Sequence, residues 1–224
     1  MTIAHPLLIP LQIVLIFFLS HLTINELFYF LRIFFKKEKI VYAFVSLLFF
    51  PGTIIHEIGH FVAAIALNLR VYEVKLLPSF EKKQIRLGSV LYEKKDFFRG
   101  ILVGIAPIFF AFCFFWFLGK FHLFPNSNLW LNILFGYIVF AVSSTMFSSK
   151  QDLIEFVLIV PVIIIIIGII YIFHIRLDII LNNKLLKEGF IGFFQDINFY
   201  LLFSLIANTI LIIFFKIFRI LLHK

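Results

Sequence analysis

The chain has 224 residues, of which 62% are hydrophobic and 14% are charged, and its formal net charge is +8. This composition excludes an ordinary water-soluble domain, because several apolar runs reach the roughly 20 residues that a helix needs to cross a bilayer. It also gives no reason to expect nucleic-acid binding, since the basic residues lie in short loops where the anionic membrane surface accounts for them.

The apolar runs predict an all-α polytopic transmembrane bundle of about six spans, formed by one domain over residues 1–224. The predicted spans are 6–31, 40–68, 100–119, 129–148, 153–173 and 198–221. The first span lacks the basic start and small-residue cleavage site of a signal peptide, so we expect it to be retained. Only "SSKQD" at residues 148–152 separates spans four and five, so we expect one of them to be short or broken. Residues 174–197 are predicted to be a polar loop.

The segment between spans two and three, residues 70–99, is predicted to contain a short membrane-associated β segment. Apolar residues mix there with charges around Pro78 and Gly88, a pattern typical of short strands joined by turns. The alternative is a disordered basic loop, because β-propensity depends strongly on context.

The distribution of Lys and Arg predicts the orientation of the protein. If both termini are cytoplasmic, the cytoplasmic side carries 12 of these residues and the opposite side carries 8. Since cytoplasmic loops are enriched in Lys and Arg, the count favours cytoplasmic termini in a multi-pass protein of the cell membrane.

Span two contains "HEIGH" at residues 56–60, which matches the H-E-x-x-H pattern. Residues i and i+4 share a helix face, so His56 and His60 can present two imidazoles to one Zn²⁺, with Glu57 beside them to accept a proton from metal-bound water. The alternative is a chance match satisfied by neighbouring helices. Because each ionisable group in hydrocarbon costs about 2.5 kcal/mol or more, we favour a functional site.

A catalytic zinc site usually has three protein ligands, so a third ligand must come from elsewhere in the chain. Its candidates near membrane depth are Glu26, Asp152, Glu155, His174 and Asp178. Asp152 is favoured because it ends the polar patch "SSTMFSSKQD" at residues 143–152, where spans four and five meet. The alternative is that Asp152 caps the fifth helix, in a capping box that starts at Ser149, and that Glu155 is the ligand.

Small residues around the motif leave two further alternatives open. Pro51 and Gly52, one turn before the motif, either widen a polar cavity or form an ordinary transmembrane kink. Gly59 either provides space at the site or serves helix packing.

Several motifs together resemble the site-2 protease family of intramembrane zinc metalloproteases. They are "TIIHEIGHFVAA" in a predicted transmembrane helix, the strand-like segment after it, "GIAP" at residues 104–107 and the downstream Asp152, and they cover about residues 40–160. The resemblance implies that His56, His60 and Asp152 bind zinc and that Glu57 activates water. It also implies that residues 71–92 hold an extended substrate by strand addition. The chain would be a compact member of the family without a PDZ domain.

The sequence thus predicts an intramembrane zinc metalloprotease that hydrolyses peptide bonds in or near transmembrane segments. Its expected partners are a membrane-protein or peptide substrate and the lipid bilayer. Two alternatives remain: a surface-acting membrane zinc protease with a glutamate as third ligand, and a non-catalytic membrane protein that handles metal ions.

Overall fold

The computed structural model describes residues 4–76, 79–81, 84–86, 88–93, 95–147, 152, 154, 156–158, 161, 165, 168–169, 172–173 and 184–222. Five helices and four strands have defined bounds within these residues. In chain order they are α1 (Ala4–Phe34), α2 (Glu38–Ala66), β1 (Val71–Lys75), β2 (Ser79–Glu81), β3 (Gln84–Arg86), β4 (Ser89–Tyr92), α3 (Phe97–Lys120), α4 (Leu129–Ser144) and α5 (Lys184–Leu222).

Four helices of the described chain, α1, α2, α3 and α5, are long and apolar enough to cross a membrane. The helical, membrane-compatible architecture predicted from composition is therefore confirmed, whereas six full spans are not. α4 has 16 residues, or about 24 Å, which is less than the roughly 30 Å hydrocarbon core and shorter than the span predicted at 129–148. Most of the span predicted at 153–173 lies outside the described residues.

The last turn of α4 and its C-cap carry hydroxyl side chains that bond back to the helix. Ser143 donates to the carbonyl of Val139 at 2.7 Å, and Thr145 donates to the carbonyl of Ala141 at 2.9 Å. Bonds from a hydroxyl to the carbonyl four residues earlier slightly destabilise a helix, which agrees with a helix end at this turn. The helix stops in a buried position, beside α2.

The last helix corrects the prediction of a polar loop at 174–197. α5 already begins at Lys184, while residues 174–183 lie outside the described part of the chain. Its third and fourth turns pack on the apolar core around Phe115 through Phe193, Phe194 and Ile197. At 39 residues the helix is about 58 Å long and extends well beyond a hydrocarbon core of roughly 30 Å.

The four strands form nested antiparallel pairs, which confirms the prediction of strands over that of a disordered loop. β1 pairs with β4, for example Val74 opposite Val90, and β2 pairs with β3 between them. This hairpin connects the end of α2 to the start of α3. It therefore lies close in sequence to the "HEIGH" motif.

Two glycines of α2 allow neighbouring helices to approach the motif closely. A Cβ built at Gly59 would lie 2.9 Å from the Cα of Pro107 in α3, so Gly59 serves helix packing. A Cβ built at Gly52 would overlap the carbonyl oxygen of Ala141 and the hydroxyl of Thr145 at the end of α4. Only glycine fits at such contacts, and both helices are thereby held against the face of α2 that carries the motif.

α1 and α5 run in the same direction along one another. Three polar contacts join them, and the residue numbers rise together in both helices. Gln12 Nε2 donates to Asn198 Oδ1 at 2.6 Å, and Thr23 Oγ1 donates to Asn208 Oδ1 at 2.7 Å. Glu26 Oε2 lies 3.0 Å from Arg219 Nη1. Interhelical hydrogen bonds of this kind stabilise helix association where lipid provides no hydrophobic driving force.

Candidate metal centre

His56 and His60 of α2 come together with Asp152, which follows α4 in the chain. The Nε2 atoms of the two histidines are 3.1 Å apart. The Nε2 atom of His56 is 3.5 Å from one carboxylate oxygen of Asp152, and that of His60 is 3.7 Å from the other. These three side chains form a group that can hold a metal ion.

The three distances fit the dimensions of a tetrahedral metal site. Ligand atoms that each lie 2.0–2.2 Å from a tetrahedral ion are separated from one another by about 3.3–3.6 Å. The distance of 3.5 Å from His56 to one oxygen of Asp152 lies within this range. The distances of 3.1 Å between the histidines and 3.7 Å from His60 to the other oxygen of Asp152 lie just outside it. Two imidazoles and one carboxylate suit a transition-metal dication better than Ca²⁺ or Mg²⁺, which prefer sites made of oxygen ligands.

The ring of His60 is oriented by α3. Its Nδ1 atom lies 2.9 Å from the carbonyl oxygen of Val103, and a carbonyl can only accept, so Nδ1 carries the proton. This leaves the lone pair of Nε2 directed toward His56 and Asp152. A metal-binding imidazole is usually held in its orientation by a hydrogen bond from its other ring nitrogen. The close contact between Gly59 and Pro107 keeps α3 near enough to α2 to accept this hydrogen bond.

The ring of His56 lies beside the segment that follows α4. It is almost fully buried, and it faces the backbone of Thr145 and Met146. These residues follow directly on the last turn of α4, which Gly52 brings against α2. The early end of α4 therefore places irregular backbone beside a histidine of the motif, in an interior where such backbone is tolerated.

Asp152 is the described candidate that reaches the two histidines. It is helical and 5% exposed. Glu26 lies elsewhere and pairs with Arg219. The other candidates, Glu155, His174 and Asp178, lie outside the described residues, as does Ser149 at the start of the proposed capping box. The position of Asp152 favours the ligand role over the capping role.

Glu57 is buried next to this group and contacts the hairpin. A Cβ built at Gly88 would lie 2.6 Å from Cγ of Glu57 and 2.7 Å from its Oε1, so the backbone of Gly88 lies directly on the carboxylate. Sequence reasoning identified Gly88 only as a turn residue. Its position just before a predicted strand gave no indication that it reaches the motif, since the contact depends on how the hairpin folds back on α2.

The electrostatics of the group favour a bound cation. Glu57 and Asp152 are both buried and are close enough for their charges to interact. Two carboxylates in one low-dielectric volume repel each other and lose hydration. A divalent ion held by His56, His60 and Asp152 would offset both effects.

No family model, curated protein or solved structure matches this chain. The similarity to site-2 proteases therefore rests on the motifs themselves, and the assignment of a function rests on the geometry of this group.

Proposed function

We propose that this protein is a membrane-embedded zinc endopeptidase that cleaves peptide bonds in or near transmembrane segments. The observation that carries the proposal is that the ligand atoms of His56, His60 and Asp152 lie 3.1–3.7 Å from one another, with Glu57 buried beside them. A merely structural metal site has no need of a fourth ionisable group that is available for proton transfer.

A bound Zn²⁺ would act as a Lewis acid and make a water molecule acidic enough to react near neutral pH. Glu57 accepts a proton from this water as the water oxygen bonds to the scissile carbonyl carbon. The same carboxyl group then gives the proton to the amide nitrogen as the carbon–nitrogen bond breaks. Burial of Glu57 keeps competing bulk water away from the proton that it carries.

The position of the hairpin beside Glu57 supports peptides as the class of substrate. Gly88 brings the backbone at the start of β4 against Glu57, and within the described strands β4 is paired only with β1. Its other edge can therefore accept an extended peptide by strand addition. Since the backbone of a helical substrate is shielded by its own hydrogen bonds, we expect preferred substrates to be transmembrane segments that unwind easily.

The decisive experiment compares wild type with Glu57→Gln in liposomes. Zinc content is measured on the purified proteins, and cleavage is measured with a fluorescence-quenched polyleucine peptide interrupted by Gly-Pro. We expect both proteins to hold zinc, and Glu57→Gln to lose about 10²–10⁴-fold in cleavage rate because general base catalysis is removed. Full activity of Glu57→Gln, or absence of metal from wild type, would refute the proposal.

The same preparations separate the two alternatives. Zinc lost in Glu155→Ala but kept in Asp152→Ala would favour the surface-acting protease with a glutamate ligand. Zinc movement across the liposome membrane, unchanged in Glu57→Gln and without peptide cleavage in either protein, would favour a metal-handling function.

A further inference from the structure

A buried polar junction lies where α1, α4 and α5 meet, outside the metal centre itself. Its members are Thr23 of α1, Ser143 and Ser144 of α4, and Ser204 and Asn208 of α5, and none is more than 3% exposed. Hydroxyl and amide side chains are costly in such an interior unless they are hydrogen bonded. Here they bond to one another.

Asn208 is the centre of this junction. Its Oδ1 accepts from Thr23 at 2.7 Å, and its Nδ2 lies 3.3 Å from the hydroxyl of Ser144 and 2.9 Å from the carbonyl of Ser204. Ser204 in turn contacts Ser143 through the two hydroxyls. One amide side chain thus ties α1 and α5 to the last turn of α4.

That turn also determines the surroundings of His56. The side of this turn that faces α2 packs closely against Gly52. The backbone of the next residues, Thr145 and Met146, lies beside the ring of His56. A displacement of the α4 end therefore changes the backbone that lies beside His56. Asp152 follows Thr145 by seven residues in the sequence.

We propose that Asn208 is a positioning residue for the metal ligands and acts through Ser144 and the end of α4. This inference rests on the proposed metal centre. It assigns to Asn208 a role that differs from simple fastening of α1 to α5. Loss of a group that orients a metal ligand typically costs about 10–100-fold in metal affinity.

The chain offers a matched control, because Gln12 also joins α1 to α5, by donating to Asn198 at 2.6 Å, and no hydrogen bond described for Gln12 reaches α4. Asn208→Ala and Gln12→Leu each remove one interhelical hydrogen bond between the same two helices. Only the first removes a bond to α4.

The test measures Co²⁺ affinity and the Co²⁺ absorption spectrum of the full-length protein in detergent, with circular dichroism to verify folding. We expect Asn208→Ala to bind Co²⁺ about 10–100-fold more weakly with an altered spectrum, and Gln12→Leu to bind like wild type. Ser144→Ala tests the same path with a smaller change, and the double variant Asn208→Ala/Ser144→Ala should bind no more weakly than Asn208→Ala alone.

Two outcomes would overturn the inference while leaving the proposed function intact. They are unchanged Co²⁺ affinity in Asn208→Ala and Ser144→Ala, or an equal loss in Gln12→Leu. If Asn208→Ala does not fold, an unchanged affinity and spectrum in Ser144→Ala decides against it. Wild type that binds no Co²⁺ would overturn both the inference and the metal centre.

Discussion

At the scale of single residues, Asp152 has the most consequential position. A helix cap and a metal ligand require the same side chain near a helix start, but only a ligand must also reach two histidines on another helix. Asp152 lies 3.5 Å from His56 and 3.7 Å from His60. Its proximity to both rings is the reason to expect metal loss when it is removed.

We predict that Asp152→Ala loses stoichiometric zinc while keeping its helical content. Two imidazoles alone hold the ion too weakly to survive purification, whereas loss of a cap costs only about 1 kcal/mol. Elemental analysis and circular dichroism measure the two effects. Asp96→Ala is the matched control, since Asp96 caps α3 by accepting from the backbone N–H of Arg99 at 2.8 Å. Equal zinc in both variants would contradict the ligand role.

A second prediction at this scale concerns Gly88. A methyl group there would lie 2.6 Å from Cγ of Glu57, so Gly88→Ala must shift either the hairpin or the carboxylate. Because a displacement of about 1 Å can cost about 10²-fold in rate, we expect a loss of this order in cleavage with zinc content unchanged. Gly100→Ala, which meets no atom within 4 Å, should cleave like wild type.

At the scale of elements, the site depends on two helices being held tightly against α2. α3 supplies the carbonyl that orients His60, and the end of α4 supplies the backbone beside His56. Tyr137 of α4 also donates to the carbonyl of Leu48 at 2.8 Å. This bond lies beside Pro51, which cannot donate within the helix and so leaves the local ladder incomplete.

We predict that Gly52→Ala destabilises the protein by about 1–3 kcal/mol and weakens metal binding, because the added methyl group overlaps Ala141 and Thr145 and pushes α4 away. Thermal unfolding and metal titration in detergent measure both effects. Gly192→Ala makes the same chemical change in α5 at a position with nothing within 4 Å. We expect that control to be as stable as wild type or slightly more stable. A normal metal titration for Gly52→Ala would show that the α4 contact does not support the site.

At the scale of the whole molecule, the ion would contribute to stability as well as to chemistry. Buried carboxylates and imidazoles from distant parts of the chain meet in one volume, and an ion that binds them only in the folded state shifts the folding equilibrium by mass action. Ligands that are separated by many residues also couple α2 to the segment after α4.

We predict that chelation lowers the thermal stability of wild type and that added zinc restores it. An ion present at 100 times its dissociation constant stabilises the folded state by about 2.7 kcal/mol, which corresponds to several degrees in the unfolding midpoint. Scanning fluorimetry with and without a chelator measures the shift. A His56→Ala/His60→Ala variant should show no difference between the two conditions, and an equal shift in both proteins would indicate an effect of the chelator unrelated to this group.

The sequence by itself determined the membrane class, the hairpin and the two histidines with their glutamate, because these follow from local patterns. Hydrophobic run length, strand alternation and the i, i+4 spacing of His56 and His60 act over one element at a time. It predicted that one of spans four and five is short, which agrees with the 16 residues of α4. It misjudged the start of α5, because the packing of Ile197 on the core lies before the apolar run that marked the last span.

Only the tertiary structure brought Asp152 to the histidines, Gly88 to Glu57 and Asn208 to the end of α4. These contacts join residues that are far apart in the sequence, and each depends on how whole helices cross. Helix crossing is set by side chains from both partners, such as Gly52 against Ala141, and no periodicity within one segment encodes it. The sequence alone therefore identified the candidate ligands, whereas helix packing determined that they come together.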